Sequence, residues 1–305
     1  MNPQRRLLLH YGLLAPVAWL AGCGREEPAR GPRYLTRSPV AGQGVVRFGV
    51  HPLHNPQKLH QVFDPLMAYL NRYVPDVRFE LEASKNYAHF EAKLRAREME
   101  FSLPNPYQTL IAQDWGYRVI AKLADDNDFR GLIFVSRDSG IRQPLDLKGK
   151  TVCYPAPTAL AATMLPRHFL ATHGLDVRRD INERYVGSME SSLMNVVSGQ
   201  AAAAGAWPPP WRQFQREHPA EAARIMPLWQ TESLPSLAVM ARQDAPDARV
   251  AAVLGALEKL HVAQEGRGVF AGMGMEGNHF RAASNADYTP VRAFLDRYRS
   301  LMGEA

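Results

Sequence analysis

The sequence predicts an α/β protein built as two successive lobes joined by a hinge. Three observations predict it. Short runs rich in β-branched and aromatic residues alternate with segments whose apolar residues recur at helical spacing, the pattern of a mostly parallel sheet covered by helices. The alternation occurs twice, from about residue 45 and again from about residue 132. The chain has 305 residues, between one large domain and two ordinary ones. The reading divides it into 1–22 as a lipoprotein signal and 23–44 as a lipidated cysteine with a flexible tether. Residues 45–131 plus 241–305 form the first lobe, and 132–240 form the second lobe with the hinge strands.

The elements follow in order. Arg5-Arg6, then Leu7-Leu8-Leu9 and an apolar stretch from Leu13 to Ala21 give the basic and apolar regions of a secretory signal. The apolar run is too short and broken to span a bilayer. Its end, Leu20-Ala21-Gly22-Cys23, resembles a bacterial lipobox, which makes Cys23 the expected lipid attachment point. Pro28, Pro32 and Pro39 mark the tether. Val45 to Val50 reads as a first strand. Leu59, Val62, Phe63, Leu66 and Leu70 line one face of a helix that Pro65 is expected to kink or split. Val77–Glu82 reads as a strand, and Tyr87, Phe90 and Leu94 mark a short helix. Met99–Leu103 is a strand running into Asn105-Pro106-Tyr107 and another helix, and Val119–Leu123 is a further strand.

The continuous apolar run Leu132-Ile133-Phe134-Val135 opens the second alternation as a buried strand. Thr151–Tyr154 is a strand with Cys153 in it as a small core residue. A helix over about 159–173 ends at Gly174. A strand at Arg184–Val186 precedes a helix marked by Met189, Leu193, Val196 and Val197. Ala201–Ala206 fits a strand or a close-packed helix. Trp207-Pro208-Pro209-Pro210-Trp211 reads as a stiff extended turn. Leu237–Met240 returns as a strand. A helix with Val250, Val253, Leu254, Leu257 and Leu260 follows, and a last one starts at Thr289-Pro290.

Composition excludes several classes. At 46% hydrophobic the chain can bury a core. Two cysteines cannot build a disulfide framework or a multi-cysteine zinc module. The net charge of +6 shrinks to +4 once 1–22 and its two arginines are removed, and the tether carries a further +2. About +2 remains on the folded body, a weak field that argues against nucleic-acid binding. Gly272-Met273-Gly274-Met275-Glu276-Gly277 has dinucleotide-site spelling but follows a helix instead of a strand, so it reads as a loop. Gly149-Lys150-Thr151 lacks the earlier glycine of a phosphate loop. His51, His54, His60 and His89 form no metal-ligand spacing, so no metal or cofactor is expected. No Gly-x-Ser-x-Gly elbow occurs, and no catalytic residue is assigned.

Several motifs, in order, carry a family resemblance. Gly49-Val50-His51-Pro52 follows the first strand, and Phe63-Asp64-Pro65-Leu66 lies in the first helix. Asn105-Pro106-Tyr107 follows the third strand. Val135 to Ile141 leads into Asp146-Leu147-Lys148-Gly149-Lys150, and Met164-Leu165-Pro166, Gly187-Ser188 and Ala286 to Arg292 come later. Over about residues 45–300 the chain resembles the periplasmic substrate-binding proteins of phosphate, phosphite and phosphonate ABC transporters. The resemblance implies a type II periplasmic-binding fold whose lobes close on a small oxyanion. It implies no catalysis. It places the chain on the periplasmic side of the cell envelope, lipid-anchored and monomeric, with a membrane permease as partner. The alternatives are a sensor role, docking on a histidine kinase or chemoreceptor, and a receptor for a different small solute. The chain departs from the family where relatives often carry a Ser-Thr-Ser-Gly-like segment, since Pro155-Ala156-Pro157-Thr158-Ala159 leaves one hydroxyl. Met189, Ala202 and Trp207 stand where relatives often have His, Asp and an acid, which argues against an aminoalkylphosphonate.

Candidate contacts follow from helix chemistry, because helix starts present free N–H groups that suit an oxyanion. The expected starts lie near Tyr107, Thr158 and Ser188, with Thr158 and Ser188 as caps that also bond a ligand oxygen. Asn105 and Tyr107 sit at a strand-to-helix turn, where open α/β sheets bind ligands. Trp207 is expected to wall the pocket, with packing between lobes as the competing role. Tyr87 lines the same cleft or the core of its own helix. His51 donates to an anion or lies on the surface.

Overall fold

The computed structural model describes residues 44–303, so the signal, Cys23 and the tether lie outside the described residues except for Gly44. The chain forms two mixed sheets. Strands β1 (Gly44–Val50), β2 (Val77–Glu82), β3 (Phe101–Leu103) and β4 (Tyr117–Leu123) enter the first, with helices α1 (Pro56–Tyr73), α2 (Tyr87–Arg95) and α3 (Pro106–Asp114) between them. Strands β5 (Arg130–Ser136), β6 (Thr151–Tyr154), β7 (Asn182–Tyr185), β8 (Ala203–Ala206) and β9 (Ile225–Ser233) make the second. Helices α4 (Leu165–Thr172), α5 (Met189–Val197), α6 (Pro208–Glu217) and α7 (Pro219–Ala222) belong to that half. The chain then returns through β10 (Ala238–Arg242), α8 (Asp247–Lys259), α9 (Gln264–Gly272), β11 (Phe280–Ala282) and α10 (Thr289–Met302).

The first sheet runs β11-β4-β10-β3-β1-β2 and the second β7-β6-β8-β5-β9. Strand β1 pairs parallel with β2 and β3, and β6 pairs parallel with β7 and β8. The antiparallel members are β10 and β11 in one sheet and β5 and β9 in the other. Two segments cross between the sheets, 124–129 and 234–237. They are laced together: Leu234 N–H donates to Phe129 O at 2.9 Å, Leu123 N–H to Leu237 O at 3.0 Å, and Ser236 N–H to Asp126 Oδ1 at 2.8 Å. Lys122, almost fully buried, ends at Asp126 with both carboxylate oxygens 2.5 Å from its Nζ.

Period-two alternation sorts the core. Along β5, Leu132 and Phe134 enter one cluster under the second sheet, while Ile133 and Val135 enter the larger one. Cys153 packs in the smaller cluster, fully buried, and burial raises its thiol pKa. The sheet-covering helices bury the faces expected of them, including Leu59, Val62, Phe63, Leu66 and Leu70 of α1.

Three local expectations are corrected. Helix α1 continues through Pro65 for 18 residues. Pro65 is only half-buried and Gln61, whose carbonyl it leaves without an amide, is exposed, so water can satisfy that carbonyl. The three prolines after Trp207 do not form an extended turn. They occupy the first turn of α6, where an N–H has no helical partner and its loss is harmless. Thr158 does not cap a helix. The next helix opens at Leu160 as a π-helical turn over Leu160–Met164, with Ala159 at the N-cap position and no side-chain cap.

Candidate functional site

The site begins with topology. The carboxyl ends of parallel strands β1 and β3 deliver His51 and Asn105. Those of β6, β7 and β8 deliver the segment 155–160, Gly187-Ser188 and Trp207. In open α/β sheets this is where ligands bind. Gly187 takes φ +85°, a conformation that side-chain-bearing residues resist, and its N–H donates to Pro155 O at 3.0 Å. This ties the start of α5 to the segment after β6.

Two glycines place the π-helical turn. A Cβ on Gly205 of β8 would stand 1.9 Å from Ala162 O, and one on Gly131 of β5 would stand 2.7 Å from Ala161 O. Their absent side chains let the turn's backbone press onto the sheet. The opening amides of the turn, from Leu160 to Ala162, have no carbonyl one turn back to bond, the arrangement that suits an anion.

A cavity of about 10 Å³ lies at this junction. From the first-sheet side it is lined by His51, Tyr87 and Asn105. From the other side it is lined by residues 159–162, Met189 and Trp207, with Phe129 of the crossing segment between. Its volume holds about one water, so the cleft is shut in this conformation. Trp207 is 2% exposed and packs edge-on against Phe129 with ring centroids 5.3 Å apart. A neighbouring cavity of about 70 Å³ is bounded by the start of α1 (His54, Asn55, Lys58), the start of α5 (Ser188, Met189, Glu190) and α6. Met189 lines both cavities. A larger open groove of about 320 Å³ lies at the amino ends of β6 and β8, away from the converging strand ends.

Hydrogen bonds close the cleft. Asn105 caps α3 by accepting from Gln108 N–H at 2.9 Å, and Gln108 Oε1 accepts from Asn105 N–H at 3.2 Å, a reciprocal capping box. Asn105 Nδ2 donates across to Thr158 O at 3.0 Å. The Thr158 hydroxyl donates to Glu91 Oε1 at 2.7 Å, and Gln108 Nε2 donates to the same oxygen at 3.0 Å. Ser188 Oγ accepts from Ser191 N–H at 3.1 Å and donates to Ser191 Oγ.

His51 is buried at 2% exposure, so it is not a surface histidine. Its Nδ1 lies 3.0 Å from Leu103 O. Burial lowers its pKa to about 4, against a smaller upward pull from that carbonyl, so the ring is neutral near pH 7. With Nδ1–H donated to the carbonyl, Nε2 holds a lone pair. Tyr87 is also buried, and burial together with the nearby Glu91 charge raises its phenol pKa.

The structure therefore brings His51, Tyr87, Asn105 and Trp207 around one cavity, with Thr158 bonded at its edge. Ser188 faces the neighbouring cavity, and Tyr107 lines neither but packs half-buried against the core. Sequence reasoning missed Glu91, Gln108 and Phe129, while the amides of 160–162 lie just past the helix start expected near Thr158. Glu91 had a findable signal: it stands four residues after Tyr87, on the same helical face.

The family model for the periplasmic substrate-binding protein of phosphonate ABC transporters matches residues 48–288. The chain belongs to this family. Among solved structures it is similar to the binding-protein component of an ABC phosphonate transporter from Pseudomonas aeruginosa. The TM-score is 0.77 with 16% identity, over 85% of this chain and 88% of that one. PhnD1 from Prochlorococcus marinus, solved with methylphosphonate, aligns at TM-score 0.76 and 15% identity, over 86% of this chain and 99% of that one. The periplasmic aliphatic sulphonate-binding protein SsuA from Escherichia coli aligns at 0.61 and 14%, over 84% and 87%. At these identities the structural likenesses speak for the bilobed fold, while the family match carries the transport role. No lysine or arginine lines the 10 Å³ cavity. Among the described residues no cluster of three or more His, Cys, Asp or Glu could hold a metal, and no helix is long and apolar enough to cross a membrane.

Proposed function

We propose that this chain captures a small phosphonate-class oxyanion in the cleft between its sheets and delivers it to the permease of an ABC importer. One observation carries the reading. The opening turn of the helix at Leu160–Met164, held down by Gly131 and Gly205, faces the cavity that the strand ends converge on. Backbone amides at a helix start can hold an oxyanion without a cationic side chain. Asn105, Thr158 and Trp207 complete the site, with His51 and Tyr87 on the opposite wall. Ser188 and Tyr107 support the helix starts at its rim.

The closed cleft has no room for such a ligand, so entry requires the lobes to part and the Asn105–Thr158 and Thr158–Glu91 bonds to exchange for ligand contacts. Calorimetric titration with methylphosphonate tests the reading. One saturable site is expected, weakened about tenfold or more in Thr158→Ala with folding retained, about the worth of one hydrogen bond to a charged group. Unchanged affinity in Thr158→Ala would place the site elsewhere.

The lipobox-like end of the signal supports lipid anchoring at Cys23 on the periplasmic side of a bacterial membrane. Cys23→Ser should release the protein from the membrane fraction. Retention of the variant there would contradict the anchor.

A further inference from the structure

We infer that Glu91 is a specificity-determining residue that admits phosphonates and rejects sulfonates, an inference that rests on the oxyanion reading above. The argument is an account of protons. In the closed cleft three donor arms at the edge of the ligand space are turned toward protein acceptors: Asn105 Nδ2 toward Thr158 O, and both Thr158 Oγ1 and Gln108 Nε2 toward Glu91 Oε1. A threonine hydroxyl has one proton. If Thr158 is to donate to an entering oxyanion, its proton must leave Glu91. The carboxylate then loses one of its two donors and faces an anion across the cleft.

The surroundings offer no replacement cation. The small cavity is lined by no lysine or arginine, and His51 is neutral with its Nε2 a lone pair. Tyr87, one turn before Glu91, is a neutral phenol. On α2 itself Lys93 is engaged elsewhere, with Glu82 and with Ala83 O. A half-buried carboxylate beside an oxyanion is favoured when a proton lies between them, because like charges at close range repel.

The ligand must therefore bring the proton. An alkylphosphonate monoanion keeps one P–O–H, which can donate to Glu91 while its remaining oxygens accept from the Thr158 hydroxyl and the turn amides. An alkylsulfonate of the same shape is fully ionised and has no O–H. Discrimination between two near-isosteric anions then falls to one carboxylate, as a site built to bond a ligand hydroxyl rejects the analogue lacking it.

The experiment is a calorimetric comparison of methylphosphonate with methanesulfonate on the full chain and two variants. The wild type should prefer methylphosphonate by about a hundredfold or more. Glu91→Gln, whose amide can donate to a sulfonate oxygen, should bring the ratio below about tenfold, chiefly by improving methanesulfonate. Glu91→Asp keeps the charge and should preserve the preference, which separates specificity from damage to the fold. Equal binding of both ligands by the wild type, or an unchanged ratio in Glu91→Gln, would overturn the inference while leaving the oxyanion reading intact. Binding of neither ligand by the wild type would overturn both.

Discussion

His51 shows how one residue links site and stability. It is buried beside Tyr87, with ring centroids 6.2 Å apart, and its pKa of about 4 lies below the unfolded value of 6.5. Between these values the unfolded chain binds a proton that the folded chain does not. Stability from the buried neutral ring is thus fully present above pH 6.5 and is lost as pH falls toward 4. The slope is up to about 1.4 kcal/mol per pH unit in that window. Urea denaturation at pH 7 and pH 5 should show the loss, and His51→Asn, which keeps a donor for Leu103, should reduce it. An equal loss in the variant would assign it to other groups. The cleft position of this residue was legible in the sequence as the end of the first strand. Its neutrality was not, because burial and the Leu103 carbonyl come from a strand 52 residues away. Glu91 was hidden for the same reason: α2 reads as a helix, but its opposition to Thr158 depends on two sheets meeting.

Elements explain why some local patterns misled. Strand β9 went unread because Pro227 interrupts it and its burial is mixed. It survives as an edge strand, with a register shift between Ile133 and Phe134 of β5 where Pro227 pairs. Helix α6 was masked by three prolines that suit a helix start as well as an extended turn. The longer helices and the parallel strands β1, β2, β3 and β6 were read as such, β7 was read two residues late, and β8 stayed open between strand and helix because its small residues suit either. The π-helical turn had no sequence signature beyond its small residues, yet it depends on Gly131 and Gly205. Gly205→Ala should displace it and cost about 1–3 kcal/mol by overpacking, with weaker ligand binding as well. A variant with wild-type denaturation midpoint and affinity would refute the close approach.

At the scale of the molecule, the two crossing segments carry the hinge. Lys122 is nearly fully buried and its carboxylate partner is Asp126, which also accepts from Ser236 N–H in the second crossing segment. Asp126→Ala leaves that ammonium unpaired and should destabilise the protein by about 3 kcal/mol, readable by urea denaturation. The 10 Å³ cavity means that the described conformation is shut on itself, so ligand capture must proceed through an opened form. The measurement that tests the central claim most directly is titration of methylphosphonate against the wild type and Trp207→Ala, followed by calorimetry. The account predicts one saturable site in the wild type and at least about tenfold weaker binding in a folded Trp207→Ala, because the indole is a wall of the cavity. Saturable binding of equal strength in both proteins, or no binding in the wild type, would contradict it.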